Sequence, residues 1–232
     1  MANLIIGAYF FAMRACEFCA TEKPGKTKKL IMKNVTFRDR DNRIVGHNDH
    51  NLREKAEVVT ICFEIQKNGT RMEKRSQKRT GLSDLCPVLA WASVISRVIE
   101  DFSGEGNPDD RPVCSYLAEG IRCEVTSTQV LKFLQATCEL YEGEIRYGIS
   151  PEEIGTRSIR SGAAMALAVQ GGHSDREIMV LGRWKSTAFL QYIRPQVIEW
   201  SASMSKKMIT VPKFLDLGGQ ESTATTQRNK KS

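Results

Sequence analysis

The sequence predicts an α+β domain, mainly α-helical, with a small antiparallel β-sheet near its N-terminal side. Three observations lead there. Residues 2–20 form a dense apolar run whose only charges are Arg14 and Glu17, the pattern of a helix buried nearly all round. Residues 57–67 are β-branched and aromatic and run into Asn68-Gly69, a dipeptide suited to the backbone of a tight hairpin. Beyond residue 84, apolar side chains recur at helical spacing behind Ser, Thr and Asp caps.

In chain order, the first helix spans 2–20 and stops at Pro24-Gly25. Arg14 and Glu17 stand at i and i+3, and opposite charges so placed in a core must be paired or used chemically. Residues 30–37 read as a strand, 39–42 as a turn and 43–45 as its return. With 57–67 and the basic stretch after it they make a sheet of about three strands over 28–80. Asp84 caps the next helix, which has Pro87 in its first turn and runs through Leu89, Ala92, Ile95 and Ile99. Residues 104–108 are a loop.

Thr126 or Ser127 opens a helix with Val130, Leu131, Leu134, Cys138 and Tyr141 on one face. Ser150-Pro-Glu-Glu153 is a capping box with proline at the first helical position. Residues 158–170 are a helix of small side chains, closed by Gly171-Gly172 and built for close packing. Ser174-Asp-Arg-Glu177 starts another helix that ends at Gly182. Ser186 caps the segment carrying Tyr192, and Pro195 bends the chain toward Trp200 and Met204. From about Pro212 the composition is polar, and 209–232 reads as a flexible basic tail after a domain of 1–208.

Composition bounds the function. The chain has 232 residues, 41% hydrophobic and 26% charged, which suits one soluble globular domain. Its formal charge of +7 suits a polyanionic partner. From Glu22 to Thr80 there are two basic residues for every acidic one, ending in Lys67, Arg71, Lys74, Arg75, Lys78 and Arg79. Cys16 and Cys19 are the one closely spaced pair among seven cysteines, and with no second Cys or His pair they read as buried thiols in a reducing compartment. No metal site is expected, and His47, His50 and His173 read as loop residues. The apolar start has no basic leader or cleavage site and is too short to span a membrane. It reads as a helix entered in mid-fold, after a preceding portion of protein.

The chemistry is concentrated in Gly155-Thr-Arg-Ser-Ile-Arg-Ser-Gly and Leu181-Gly-Arg-Trp-Lys. Arg157 and Arg160 lie one helical turn apart, so both guanidinium groups can lean to the same side. Tyr192 follows Arg183 by nine positions. A phosphodiester needs such a set: cationic forks for the non-bridging oxygens and an oxygen nucleophile in line with the leaving group.

The order Arg14 (Ala-Met-Arg-Ala-Cys-Glu), Lys67 (Gln-Lys-Asn-Gly), Arg160 (Arg-Ser-Ile-Arg), Leu181-Gly-Arg-Trp184 and Tyr192 resembles the catalytic domain of tyrosine recombinases, the phage-integrase family. The resemblance covers roughly residues 1–205. The Gly-Arg-Trp and Tyr-Ile-Arg segments look closer to eukaryotic mobile-element (crypton-like) members than to bacterial integrases. It implies the integrase catalytic fold, with Arg14 and Arg160 clamping the scissile phosphate and Glu17 supporting the site. Lys67 would protonate the leaving 5′-oxygen, and Arg183, or Trp184 beside it, would hold the His/Trp position. Tyr192 would be the nucleophile, giving a 3′-phosphotyrosyl intermediate with no cofactor. Arg157 occupies the first position of the family's His-x-x-Arg box, where it can donate to phosphate but cannot act as a base.

Lys74, Arg75, Lys78 and Arg79 are expected to contact double-stranded DNA. By family analogy the chain would self-associate as a tetramer on paired sites, with no membrane involved. It would work inside the cell wherever DNA is held, whether nucleus, cytoplasm or nucleoid. By the same resemblance, the family's N-terminal core-binding domain is not expected within these 232 residues. Two other readings share these residues: a degenerate recombinase domain that binds DNA without cutting it, and a DNA-relaxing enzyme like a type IB topoisomerase.

Overall fold

A computed structural model of the chain describes residues 1–22, 25–142, 145, 148–170 and 173–192, with 169, 170, 188 and 192 described by backbone alone. The expectations at Pro24, Gly171-Gly172, Pro195, Trp200, Met204 and the 209–232 tail lie outside the described residues. What is described is a mixed helix-and-sheet domain with a small antiparallel sheet. No helix among the described residues is long and apolar enough to cross a membrane.

The first expected helix is two. α1 (Ala2–Phe10) and α2 (Ala15–Phe18) are separated by a turn in which Ala12 adopts a left-handed φ of 45°. Two backbone bonds close α1 there: Ala12 N–H to Tyr9 C=O at 2.9 Å and Met13 N–H to Ala8 C=O at 2.9 Å. This is the pairing of a Schellman cap, with alanine where glycine is usual. Glu17 then takes the Arg14 N–H at 2.9 Å, so a carboxylate placed to cap a new helix wins over continuation of the old one. Cys19 is buried as expected and burial pushes its thiol up to about 12, whereas Cys16 is only half-buried.

The sheet has four strands rather than about three: β1 (Val35–Arg38), β2 (Ile44–Val45), β3 (Val58–Ile65) and β4 (Arg71–Lys78), in the order β2-β1-β3-β4, all antiparallel. The strand expected over 30–37 is shorter because Asn34 takes the Ile31 N–H at 3.0 Å and folds Met32–Asn34 into a 3-10 turn. Period-two alternation puts Val35, Phe37, Val59, Ile61 and Phe63 inside. Thr36, Arg38, Thr60 and Cys62 face the other way, and register adds Ser76, Lys74 and Lys78 to that outer face. On edge strand β4 the inward positions opposite Phe63, Ile61 and Val59 are Glu73, Arg75 and Gln77. The inner face thus turns polar at its edge, where Arg75 reaches the Val180 carbonyl and Gln77 the Phe10 carbonyl at the end of α1.

After the short α3 (Leu52–Lys55), α4 (Pro87–Asp101) covers the sheet and carries Val88, Trp91, Ile95 and Val98 into the same core as Leu4, Ala8 and Phe11. Its cap is Cys86 rather than Asp84; Pro87 occupies the first turn as expected. A second sheet, β5 (Ser115–Ala118) with β6 (Ile121–Glu124), was not foreseen. Its turn is Glu119-Gly120, both left-handed at φ 51° and 76°, as a two-residue hairpin demands.

α5 (Ser127–Leu140) starts at Thr126 with Gln129 completing its capping box, but of its expected face only Val130 is fully buried and Tyr141 is exposed. The Ser150 box forms a 3-10 turn, Pro151–Glu153. α6 (Ser158–Met165) passes into a π-helical turn, Ala166–Gln170, instead of running on as α-helix. α7 (Asp175–Gly182) has the expected Ser174–Glu177 box and end.

Packing of α1 on α4 hinges on Gly7, where a Cβ would lie 2.7 Å from the Trp91 indole. Gly7→Ala is expected to lower stability by about 1–3 kcal/mol through overpacking, read as a shift of the urea midpoint at unchanged m.

Candidate functional site

The site grows from an unfinished helix end. The last carbonyls of α1 have no partners within the helix, and the turn after it points them at side chains from remote segments. Phe10 C=O accepts from Gln77 Nε2 at 2.8 Å and Phe11 C=O from Arg183 Nη1 at 2.7 Å. Ala12 C=O accepts from Arg160 Nη1. Strand β4, helix α6 and the residue after α7 therefore converge on the turn just before Arg14.

Arg183 is the hub, with its side chain fully enclosed. Besides Phe11 it donates to Glu17 Oε2 at 2.7 Å and through Nε to Gln66 Oε1 at 3.2 Å. Its guanidinium lies 3.7 Å from the Phe63 ring centroid. Burial pushes Arg183 below its ordinary pKa, and the Glu17 charge opposes that shift. The residue sits in the left-handed region at φ 58°, closing α7. An arginine holds that strained conformation because its side chain is fixed at so many points. Gly182 before it has no alternative, since a Cβ there would fall 1.5 Å from the Trp184 ring.

Glu17, 1% exposed, also takes the Arg14 guanidinium at 3.0 Å. Arg14 remains about a quarter exposed, with a side-chain value of 26%, so the carboxylate holds one arginine inside and another at the surface. Arg160 is buried against Ala12 and Gly182 C=O, its guanidinium 4.1 Å from the Trp184 ring centroid. Gln66 continues the chain by donating to Glu73, which accepts from Arg75. Arg14, Arg75, Arg160 and Arg183 set against Glu17 and Glu73 are four positive charges and two negative, a surplus of two.

Arg14, Glu17, Arg160, Arg183 and Trp184, expected together from the sequence, are thus brought together. Arg157 is not with them: it is the exposed residue heading α6, while Arg160 one turn on is buried. Lys67 is exposed at the tip of the β3–β4 hairpin, next to Gln66. Tyr192 ends the 3-10 turn Thr187–Tyr192, and its side chain lies outside the described residues.

Lys74 and Lys78 project from the outer sheet face, whereas Arg75 and Arg79 turn to the other side and bind main chain. Arg75 Nε donates to Val180 C=O at 2.5 Å and Arg79 Nε to Ala56 C=O at 2.6 Å. Among the histidines, His47 bonds Val35 C=O at 2.7 Å through its ring, and His50 and His173 are exposed.

Sequence reading missed Gln66 and Glu73. Strict alternation along β3 would turn Ile65 inward and Gln66 outward; the structure exposes Ile65 and leaves Gln66 at 0% exposure. Only the change of phase at the strand end reveals it.

A cavity of about 210 Å³ opens between this hairpin and α7, with Arg75, Arg176, Arg183, Trp184 and Lys185 on its wall. A larger recess of about 490 Å³ shares none of these residues; in it Arg122 pairs with Glu105, and the Arg111 guanidinium stacks 4.4 Å from the Phe102 centroid.

No protein-family model matches the chain, and no curated protein matches it. Among solved structures it is similar to the Tn1549 transposon integrase, solved in complex with a circular intermediate DNA. The two share 12% identity at a TM-score of 0.44, over 89% of this chain and 58% of that one. The chain therefore spans less than two thirds of that neighbour's length.

Removing one partner of the buried pair leaves an uncompensated charge. Arg183→Met and Glu17→Gln are each expected to cost about 3–5 kcal/mol. The double variant should lose less than the sum of the two, which a double-mutant cycle in urea measures directly.

Proposed function

We propose that this chain is the catalytic domain of a DNA strand-exchange enzyme of the tyrosine recombinase kind, acting through a covalent 3′-phosphotyrosyl intermediate. The observation that supports this best is the convergence of Arg14, Glu17, Arg160 and Arg183, from three segments remote in sequence, on the single turn after α1. A surplus of positive charge held on buried, hydrogen-bonded scaffolding is what a phosphodiester in its pentavalent transition state requires.

In this mechanism Arg14, anchored by Glu17 yet reaching solvent, binds a non-bridging oxygen of the scissile phosphate, and Arg160 supports the other side of the clamp. The Tyr192 Oη attacks phosphorus and gives its proton to solvent. The P–O5′ bond breaks, and Lys67 delivers a proton to the departing 5′-oxygen. The phosphodiester energy is kept in the tyrosyl bond, so attack by another 5′-hydroxyl reverses the step and rejoins DNA. Arg183 serves this reaction from inside, as the residue that fixes Glu17.

Lys74 and Lys78, with Arg38 beside them across the strands, form a basic face for the duplex backbone. Self-association on paired sites, and descent from the crypton-like branch, are parts of the same proposal. A second reading, a DNA-binding domain that does not cleave, is favoured by one feature: Arg157 stands where the family's box has histidine and is exposed, apart from Arg160.

Nicked suicide duplexes of random sequence, incubated with the chain, should yield a denaturant-resistant adduct on the 3′ side of the break. Tyr192→Phe should abolish the adduct and leave binding unchanged. Binding without any adduct from the parent chain would establish the second reading, and relaxation of supercoiled plasmid at no preferred site would favour topoisomerase-like action. Lys74→Ala and Lys78→Ala should each weaken binding on all sequences and reduce the salt slope by about 1.

A further inference from the structure

The β3–β4 hairpin is fastened to one short stretch of chain by three contacts. Arg75 Nε on β4 donates to Val180 C=O at 2.5 Å. Arg183 Nε donates to the Gln66 side chain at 3.2 Å, and Lys185 Nζ donates to Asn68 C=O at 3.1 Å. Gln66 and Asn68 flank Lys67 on either side. Residues 183–185 lead directly into the 3-10 turn Thr187–Tyr192. The residue expected to protonate the leaving group and the residue expected to attack are therefore carried by segments braced against each other.

The bracing at Gln66 is of the strong, buried kind. Its amide is 0% exposed, and both ends are used, the oxygen by Arg183 and the NH₂ by Glu73. A buried amide paired at both ends resists displacement, because leaving either group unmade forfeits its desolvation. Within the hairpin, Gln66 N–H meets Thr70 C=O at 3.0 Å and Gly69 N–H meets Gln66 C=O at 2.9 Å, so fixing Gln66 fixes the two ends of the Lys67 turn. The brace at Asn68 is exposed and weaker.

We infer that Gln66 and Lys185 are positioning residues for Lys67, tying the leaving-group acid to the segment that carries the nucleophile, so that both move with Arg183. This rests on the strand-exchange reading. A tether of this design aligns proton donor and nucleophile on the same phosphate, and loss of alignment is costly: a misplacement near 1 Å lowers rates by about a hundredfold.

The test is single-turnover cleavage of two suicide duplexes by the full chain, one with the natural 5′-bridging oxygen at the break and one with sulfur there. A thiolate leaves without protonation, so the sulfur duplex needs no acid. Gln66→Met should slow cleavage of the oxygen duplex by about ten- to a hundredfold and that of the sulfur duplex by no more than about twofold. Because Gln66→Met strips partners from buried Arg183 and Glu73, Lys185→Met is run beside it. This exposed change spares the core and should give the same selective loss at smaller size.

Equal loss on both duplexes, or no loss from either folded variant, would overturn the inference while leaving the chemistry of Tyr192 standing. A parent chain that attacks neither duplex would overturn the strand-exchange reading, and the inference with it.

Discussion

The structure depends on a pair of charges that have no business in a core unless they are completely satisfied. Moving a carboxylate and a guanidinium out of water costs several kcal/mol each, and attraction alone restores that only with good geometry and saturated hydrogen bonds. Glu17 meets the condition with three donors, the Arg14 amide, the Arg14 side chain and Arg183. Arg183 meets it with Glu17, Gln66, the Phe11 carbonyl and the face of Phe63. Because these partners come from α2, the end of β3, the turn after α1 and the end of α7, one ion pair sets the relative placement of four elements.

That placement explains two backbone conformations that would otherwise be costly. Alanine and arginine at left-handed φ each carry roughly 1–2 kcal/mol of strain. At Ala12 the strained turn exposes carbonyls to Arg160 and Arg183; at Arg183 it drops the side chain inward while Trp184 turns under Arg160. Strain persists where surrounding contacts over-determine it, and such places tend to be functional. Here Ala12 and Arg183 bound the same cationic cluster.

The four-stranded sheet serves two masters through the period of its strands. Its outer face is hydroxyl-rich and basic, with Lys74, Ser76 and Lys78 on β4. The inner positions of the same strand, Glu73, Arg75 and Gln77, extend the arginine network and cap α1. In the run from Lys74 to Arg79, alternation sends Lys74 and Lys78 to solvent and commits Arg75 and Arg79 to main-chain carbonyls. A basic stretch that reads uniformly in sequence is thus two populations with different work.

By itself the sequence determined what short-range chemistry governs. The Thr126, Ser150 and Ser174 boxes, the Asn68-Gly69 hairpin, the end of α7 at Gly182 and the pairing of Arg14 with Glu17 all follow from residues within a turn of one another. It also singled out Arg14, Glu17, Arg160 and Arg183 and set the first two in an apolar run, although the burial of Arg160 and Arg183 was invisible. Only the tertiary structure decided that Arg183 is enclosed rather than presented, that Arg157 stands apart from Arg160, and that Gln66 turns in where alternation says out. It also completed the break in the first helix that the Glu17 cap begins locally, because the carbonyls after Phe10 gain donors more than a hundred residues away in Arg160 and Arg183. A local pattern records a residue's own propensity; whether its charge is buried depends on partners that only the folded chain brings within hydrogen-bond reach.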